Sequence, residues 1–263
     1  MTNQEKKMLD ILKRLKEDYN VLAVKSEFEA EGSRIDELVK LNEVVFRADM
    51  DIYIKIGGCE AVSDLEKCRI LGAKGIMAPM IETPFAMTKF LNALNRVYSQ
   101  KEQEDMFYIF NAETITGYNN LDDILSVDNI DKIHSVAVGR VDLTASLGYG
   151  REYINSEEIM KYTRDILEKA RERNIMAGIG GGISIEAIPI LKSLSDVVEK
   201  FETRKIVFKY DDELDIMRAL EYAVEFEIMY LKNKAELYQK MADEDAARVK
   251  MMENRLQVIR NQQ

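Results

Sequence analysis

The chain has 263 residues, of which 46% are hydrophobic, 8% aromatic and 32% charged, with 37 Lys plus Arg against 47 Asp plus Glu and a formal charge of -10. That apolar content is enough to bury a core and excludes disorder over most of the length. The acidic balance disfavours phosphate backbones and anionic lipid, and no apolar run approaches the roughly 20 residues that span a bilayer, so neither nucleic acid nor membrane is an expected partner. Cys59 and Cys68 are the two cysteines, too few for a disulfide framework, which with the charged, helix-patterned N-terminus gives a cytoplasmic expectation.

In chain order, residues 1–20 read as an N-terminal helix. Apolar runs then alternate with helical patterns, the signature of β/α units around a parallel sheet. The expected strands are Val21–Glu27, Ile52–Ile56, Gly75–Met80, Met106–Ala112, Ser135–Gly139, Ile175–Gly180 and roughly Val197–Phe208. The expected helices are Ile35–Val45, Val62–Leu71, Pro84–Tyr98, Asn120–Val127, Ser156–Arg173 and Ile185–Leu194. Asn155 and Glu158 have capping-box spacing, and Pro84 suits a first helical turn. Seven clear strands plus one uncertain slot, with no G-x-G-x-x-G after the first, favour a (β/α)8 TIM-type barrel over residues 21–210. Residues 211–263 contain neither proline nor glycine and read as a long C-terminal helical extension. In it Val249, Met252, Leu256 and Ile259 keep three-four-three spacing, which points to a homo-oligomer contact.

A barrel places its chemistry at the C-terminal ends of the strands. Two consecutive apolar strands end in carboxylates there: Phe107-Tyr108-Ile109-Phe110-Asn111-Ala112-Glu113 and Val136-Ala137-Val138-Gly139-Arg140-Val141-Asp142. Glu113 and Asp142 are therefore the candidate metal ligands, hard oxygen donors suited to Mg²⁺ or Mn²⁺. Backbone amides near Ala145 and Ser146, at an expected helix start, are candidates for a substrate carboxylate. Arg140 and Gly181 are further candidate substrate-binding positions, Gly181 from a glycine run at 178–182 that either cradles an anion or makes a tight turn.

The stretch from Asn111-Ala112-Glu113-Thr114-Ile115-Thr116-Gly117-Tyr118-Asn119-Asn120 to Asp142-Leu143-Thr144-Ala145-Ser146-Leu147-Gly148-Tyr149 resembles the paired motif of the HpcH/HpaI aldolase and citrate lyase beta-subunit family. The resemblance runs over roughly residues 50 to 182, with Gly75-Ile76-Met77-Ala78-Pro79-Met80-Ile81 similar to the family's preceding strand. It implies a phosphoenolpyruvate/pyruvate-binding barrel in which Glu113 and Asp142 hold a divalent metal. That metal would chelate a 2-oxo acid and stabilise its enolate during C–C cleavage or condensation with a carbonyl or acyl co-substrate. The implied activity is a class II pyruvate aldolase-like lyase. Alternatives are citrate-lyase-like or acyl-CoA lyase/synthase chemistry, or a non-catalytic barrel that acts as ligand sensor or scaffold.

Two positions depart from the family pattern. Where the family has an arginine on the strand before the P-M-[IV] strand, this chain has Lys55, a point charge without the guanidinium fork. Lys55 is the candidate for the 2-oxo acid oxygen, with a Schiff-base nucleophile or a plain salt bridge as alternatives. The family's general-base histidine is missing: His134, the one histidine, starts a strand and so sits at the opposite barrel face. Lys25, Glu27 and Glu29 alternate onto one face, which makes Glu27 and Glu29 base candidates if burial raises their pKa. Glu82, ahead of Pro84, reads as the end of an earlier strand, and Arg204 as a carboxylate binder or an ion-pair partner.

Overall fold

In the computed structural model, which describes residues 1–261, eight strands close a barrel in the order β1 to β8. They are β1 (Val21–Glu27), β2 (Asp51–Lys55), β3 (Gly75–Ala78), β4 (Phe107–Ala112), β5 (Ser135–Gly139), β6 (Met176–Gly180), β7 (Lys200–Glu202) and β8 (Ile206–Lys209). The helices are α1 (Asn3–Asp18), α2 (Ile35–Arg47), α3 (Val62–Leu71), α4 (Pro84–Val97), α5 (Gln100–Gln103), α6 (Ile115–Asn119), α7 (Leu121–Ile124), α8 (Arg140–Ser146), α9 (Glu157–Glu172), α10 (Ile188–Ser193) and α11 (Ile216–Asn261). The expected C-terminal residue Ile259 lies outside the described side chains.

Local signals account for most helix starts. Thr2 caps α1 in a reciprocal capping box with Glu5, and Thr83 caps α4 ahead of Pro84. The cap of α9 is Ser156, not Asn155; the Asn155 carboxamide oxygen instead accepts from Arg140. On α1 the residues Met8, Ile11, Leu12 and Leu15 form one buried stripe, each such side chain contributing about 1.5–3 kcal/mol by leaving water.

The last expected strand resolves into two. β1 to β7 run parallel, whereas β8 is antiparallel to both β7 and β1. The reversal comes from the polar Thr203-Arg204-Lys205 between two apolar runs. Thr203 N–H donates to Ile206 O at 2.9 Å, and Ile206 N–H returns a bond to Thr203 Oγ1 at 3.1 Å, which closes a tight hairpin. Arg204 pairs with Glu27 at 3.4 Å across the β8–β1 seam. Because β8 descends, α11 starts at the barrel's N-terminal end and climbs its wall. Arg14 donating to Tyr222 and Thr2 donating to Asn233 show α1 lying antiparallel to it.

Two layers fill the lumen. The lower one is mainly apolar: Ala23, Tyr53, Met77, Ile109, Ala137 and Val207. Above it, toward the strands' C-terminal ends, lie Lys25, Lys55, Asn111, Lys200 and Glu202, all buried. Glycines on β6 leave room for the long ones: a Cβ on Gly178 would come within 2.6 Å of the Lys200 side chain, and one on Gly180 within 3.0 Å of Glu202.

Candidate active site

β4 delivers Glu113 to the barrel mouth, where its side chain is 2% exposed. Oε1 accepts the Met80 N–H at 3.0 Å. Oε2 accepts from Asn111 Nδ2 at 3.0 Å and lies 3.8 Å from Lys55 Nζ. Met80 presents that amide from a left-handed backbone, φ 49°, a conformation costing a non-glycine residue about 1–2 kcal/mol. Such a strained residue aimed at a buried carboxylate marks a site that the surrounding structure holds in place.

Burial pushes the Glu113 carboxyl pKa above its ordinary value, opposed by Lys55, the Met80 amide and Asn111, and reinforced by Asp142. Burial acts the other way on Lys55, favouring loss of its proton, but Glu113, Glu29 and Glu27 outweigh it and raise the ammonium's pKa. Both pKa values thus move up, but burial wins at Glu113 and the neighbouring charges win at Lys55, because Lys55 sits among several carboxylates, with Glu29 only 2.6 Å away, whereas Glu113 has one ammonium at a longer distance.

Asp142 lies in the first turn of α8, half-buried. It lines one cavity of about 410 Å³ together with Glu113, Lys55, Glu27, Glu29 and Gly181. The fold thus brings together both expected metal ligands, all three expected catalytic residues and one glycine. Six carboxylates and four cationic side chains line this space, leaving a formal charge of -2 at its walls. Ala223, Val224 and Glu227 of α11 form part of the rim, a consequence of the reversed β8.

Other expected positions lie elsewhere. Ala145 and Ser146 occupy the last turn of α8, whose start is Arg140, so their amides are not at a helix N-terminus and neither residue lines the cavity. Ser146 Oγ accepts from Ile115 N–H at 2.9 Å and ties α8 to α6. Arg140 is fully buried and points away from the cavity. It donates to the carbonyls of Gly180, Gly181 and Gly182 at 3.4, 3.0 and 3.4 Å, and to Asn155 Oδ1 at 2.9 Å. Desolvation pushes its pKa down to about 10. Arg140 therefore shapes the glycine loop and does not reach a ligand in the cavity. Within that loop Gly181 and Gly182 both have positive φ, +70° and +66°, which an alanine would strain.

Glu82 accepts from Thr114 Oγ1 at 2.7 Å and does not line the cavity. His134 sits at the opposite end of the barrel. Its Nδ1 accepts from Tyr108 N–H at 3.0 Å, and its ring stacks on Phe107.

Several polar residues in or beneath the cavity were not among the expected site positions. Asn111 holds Glu113 and keeps a buried Oδ1 without a partner. Lys25 pairs with Glu202 at 2.7 Å, and the wholly buried Lys200 lies 3.7 Å from the same carboxylate. Burial lowers the Lys200 pKa, while Lys25 and Lys200 overcome burial and lower that of Glu202. A sequence signal did exist: Asn111/Glu113 and Lys200/Glu202 are polar pairs two residues apart at the ends of apolar strands, hence on one face.

The HpcH/HpaI aldolase/citrate lyase family model matches residues 46–181, a span that contains Lys55, Glu113, Asp142 and the first glycines of the loop. The chain belongs to the HpcH/HpaI aldolase/citrate lyase family. Solved structures share its barrel. The HpcH/HpaI aldolase from Desulfitobacterium hafniense DCB-2 is 14% identical with a TM-score of 0.60, covering 76% of this chain and 82% of that one. The citrate synthase SbnG is 19% identical with a TM-score of 0.60, covering 87% and 90%. A family protein from Burkholderia cenocepacia J2315 is 14% identical with a TM-score of 0.57, covering 85% and 99%. At these identities the likeness establishes the fold. Among curated proteins none matches the sequence. As a member of the HpcH/HpaI family the chain has the framework of a lyase or aldolase, and among its described residues no helix is long and apolar enough to cross a membrane.

Proposed function

We propose that this protein is a divalent-metal-dependent carbon–carbon lyase that handles a pyruvate-like 2-oxo acid as its enolate. The observation that carries the reading is the pairing of a buried Glu113, held by two hydrogen-bond donors and the Lys55 ammonium, with Asp142 in one cavity of charge -2. Among the described residues no three His, Cys, Asp or Glu side chains form a metal cage. The donor set suits a hard ion that takes one or two carboxylates and completes its shell with water and substrate oxygens. Glu113 retains free lone pairs beside its two hydrogen-bond donors, and the unpartnered Asn111 Oδ1 adds another oxygen nearby. The residues fit Mg²⁺ or Mn²⁺, with Glu113 and Asp142 as ligands; when bound, the ion supplies Lewis-acid polarisation of the 2-oxo acid.

The chain's own groups supply the rest. Lys55 carries a buried positive charge, which stabilises negative charge developing on the substrate's oxo oxygen. Glu27 and Glu29 enter the same cavity and are the candidates to take a proton from the substrate's methyl carbon in the condensing direction and return it in cleavage. Gly181 lets backbone approach a carboxylate closely. The co-substrate is a carbonyl or acyl compound; citrate-lyase-like or acyl-CoA lyase chemistry is the neighbouring alternative. A cytoplasmic homo-oligomer completes the reading.

Calorimetry tests it. Glu113→Ala and Asp142→Ala are each expected to abolish Mn²⁺ binding while the far-UV circular dichroism stays intact; binding retained in both sinks the metal site. Deuterium exchange at the pyruvate methyl separates catalysis from sensing: Mn²⁺ binding without exchange at any pH would favour a ligand sensor.

A further inference from the structure

From Gln239 to Gln257 every residue of α11 is exposed. That is about 28 Å of helix at 1.5 Å per residue, standing clear of the barrel. A helix in a protein takes most of its stability from packing of an apolar face. Here Leu237, Met241, Met252 and Leu256 are exposed, yet at 100° per residue they fall within about 100° of arc. The same side of α11, lower down, buries Ala219, Ala223, Phe226 and Tyr230 on the barrel. That side of α11 thus has its first half covered and its second half bare, with Arg255 among the apolar residues of the bare half. Asp245 and Arg248 are exposed in the centre of the bare half.

We propose that this half is covered by the same segment of a second copy of the chain, packed antiparallel about a two-fold axis level with Ala246 and Ala247. The register makes the surface complementary to itself. Leu237 faces Leu256, Met241 faces Met252 and Asp245 faces Arg248, and the two-fold repeats each pairing. A parallel pair would instead bring Asp245 to Asp245 and Arg248 to Arg248, stacking like charges across the seam. Beyond one end of the segment, Leu237 lines a groove of about 420 Å³ with Met8, Leu41, Val44 and Tyr230, which continues the apolar surface to where Leu256 of the second copy arrives. The pairing starts about three turns after Glu227 leaves the cavity rim, so the helix that walls the cavity is also the one anchored by the second copy. This surface is independent of the reaction assigned above.

Sedimentation velocity on the full chain provides the test. The wild type is expected as an assembly of even number. D245R and R248D are each expected to halve its mass, because either change sets like charges face to face. The double variant D245R/R248D exchanges the signs and is expected to restore it. A monomeric wild type, a mass unchanged by either reversal, or no recovery in the double variant overturns the proposal. In a Cys59→Ser background, an oxidised mixture of Met241→Cys and Met252→Cys chains is expected to give a covalent dimer and Met241→Cys alone none; the opposite pattern means parallel helices and overturns it too.

Discussion

A Cβ placed on Gly139 would stand 2.5 Å from Oε2 of Glu113 and 2.7 Å from its Cβ. The side chain that β4 sends into the cavity therefore occupies space that the neighbouring strand leaves empty, and the two positions are one structural unit. Gly139→Ala is expected to displace Glu113 without unfolding the barrel. A shift of about 1 Å in a catalytic constellation costs about 10²-fold in rate, so pyruvate-methyl exchange should fall by about that factor. Calorimetric Mn²⁺ affinity should fall with it, and unchanged affinity would show that Glu113 tolerates the crowding.

Lys55 separates Glu29 from Glu113 and is 7% exposed. Lys55→Met removes the ammonium and leaves two carboxylates facing each other. Breaking a buried ion pair costs about 3–5 kcal/mol, and the partial exposure of Glu29 places this case at the lower end. Urea unfolding at pH 7 measures the loss, and Lys55→Arg, which keeps the charge, should recover most of it.

The pH dependence follows from the raised pKa of Glu113. A carboxyl whose folded-state pKa is raised favours the folded state most where it is protonated. Its contribution is complete below the ordinary value of 4.5 and is lost as pH rises through the higher folded value. Glu113→Gln is thus expected to be more stable than the wild type at pH 7, with the advantage vanishing below 4.5. A ligand carboxylate must also be deprotonated, so Mn²⁺ affinity should climb with pH through a midpoint above the ordinary value of 4.5. A flat affinity profile there would place the ion elsewhere.

Arg140→Met leaves three glycine-loop carbonyls and the Asn155 oxygen without their donor. Each buried group left unsatisfied costs about 1–3 kcal/mol, so a total loss of about 3 kcal/mol or more is expected in urea unfolding. Mn²⁺ affinity should move less than in Glu113→Ala. The reverse ranking would mean that Arg140 serves the ligand directly.

Much of the barrel was legible because strands buried on both faces stand out as apolar runs, and because Glu113 and Asp142 end two of them. Less legible were features in which a residue's role depends on a distant neighbour. Arg140 lies between the two motifs' carboxylates, but its guanidinium turns to the carbonyls of a loop 40 residues on. Ala145 and Ser146 have helix-start chemistry, yet α8 begins at Arg140. The reversal of β8 was present as three polar residues inside an apolar run, a pattern equally compatible with a charged cluster on a single strand.

The sequence alone determined the alternation of strands and helices, the two acidic strand ends and the long uninterrupted final helix, since each depends on residues close together along the chain. Only the tertiary structure decided that Lys55 stands between Glu29 and Glu113, that Met80 turns its amide to Glu113, and that α11 rises past the cavity. Those outcomes depend on barrel closure, which sets residues from separate strands within a few ångströms of one another, and local pattern carries no information about that.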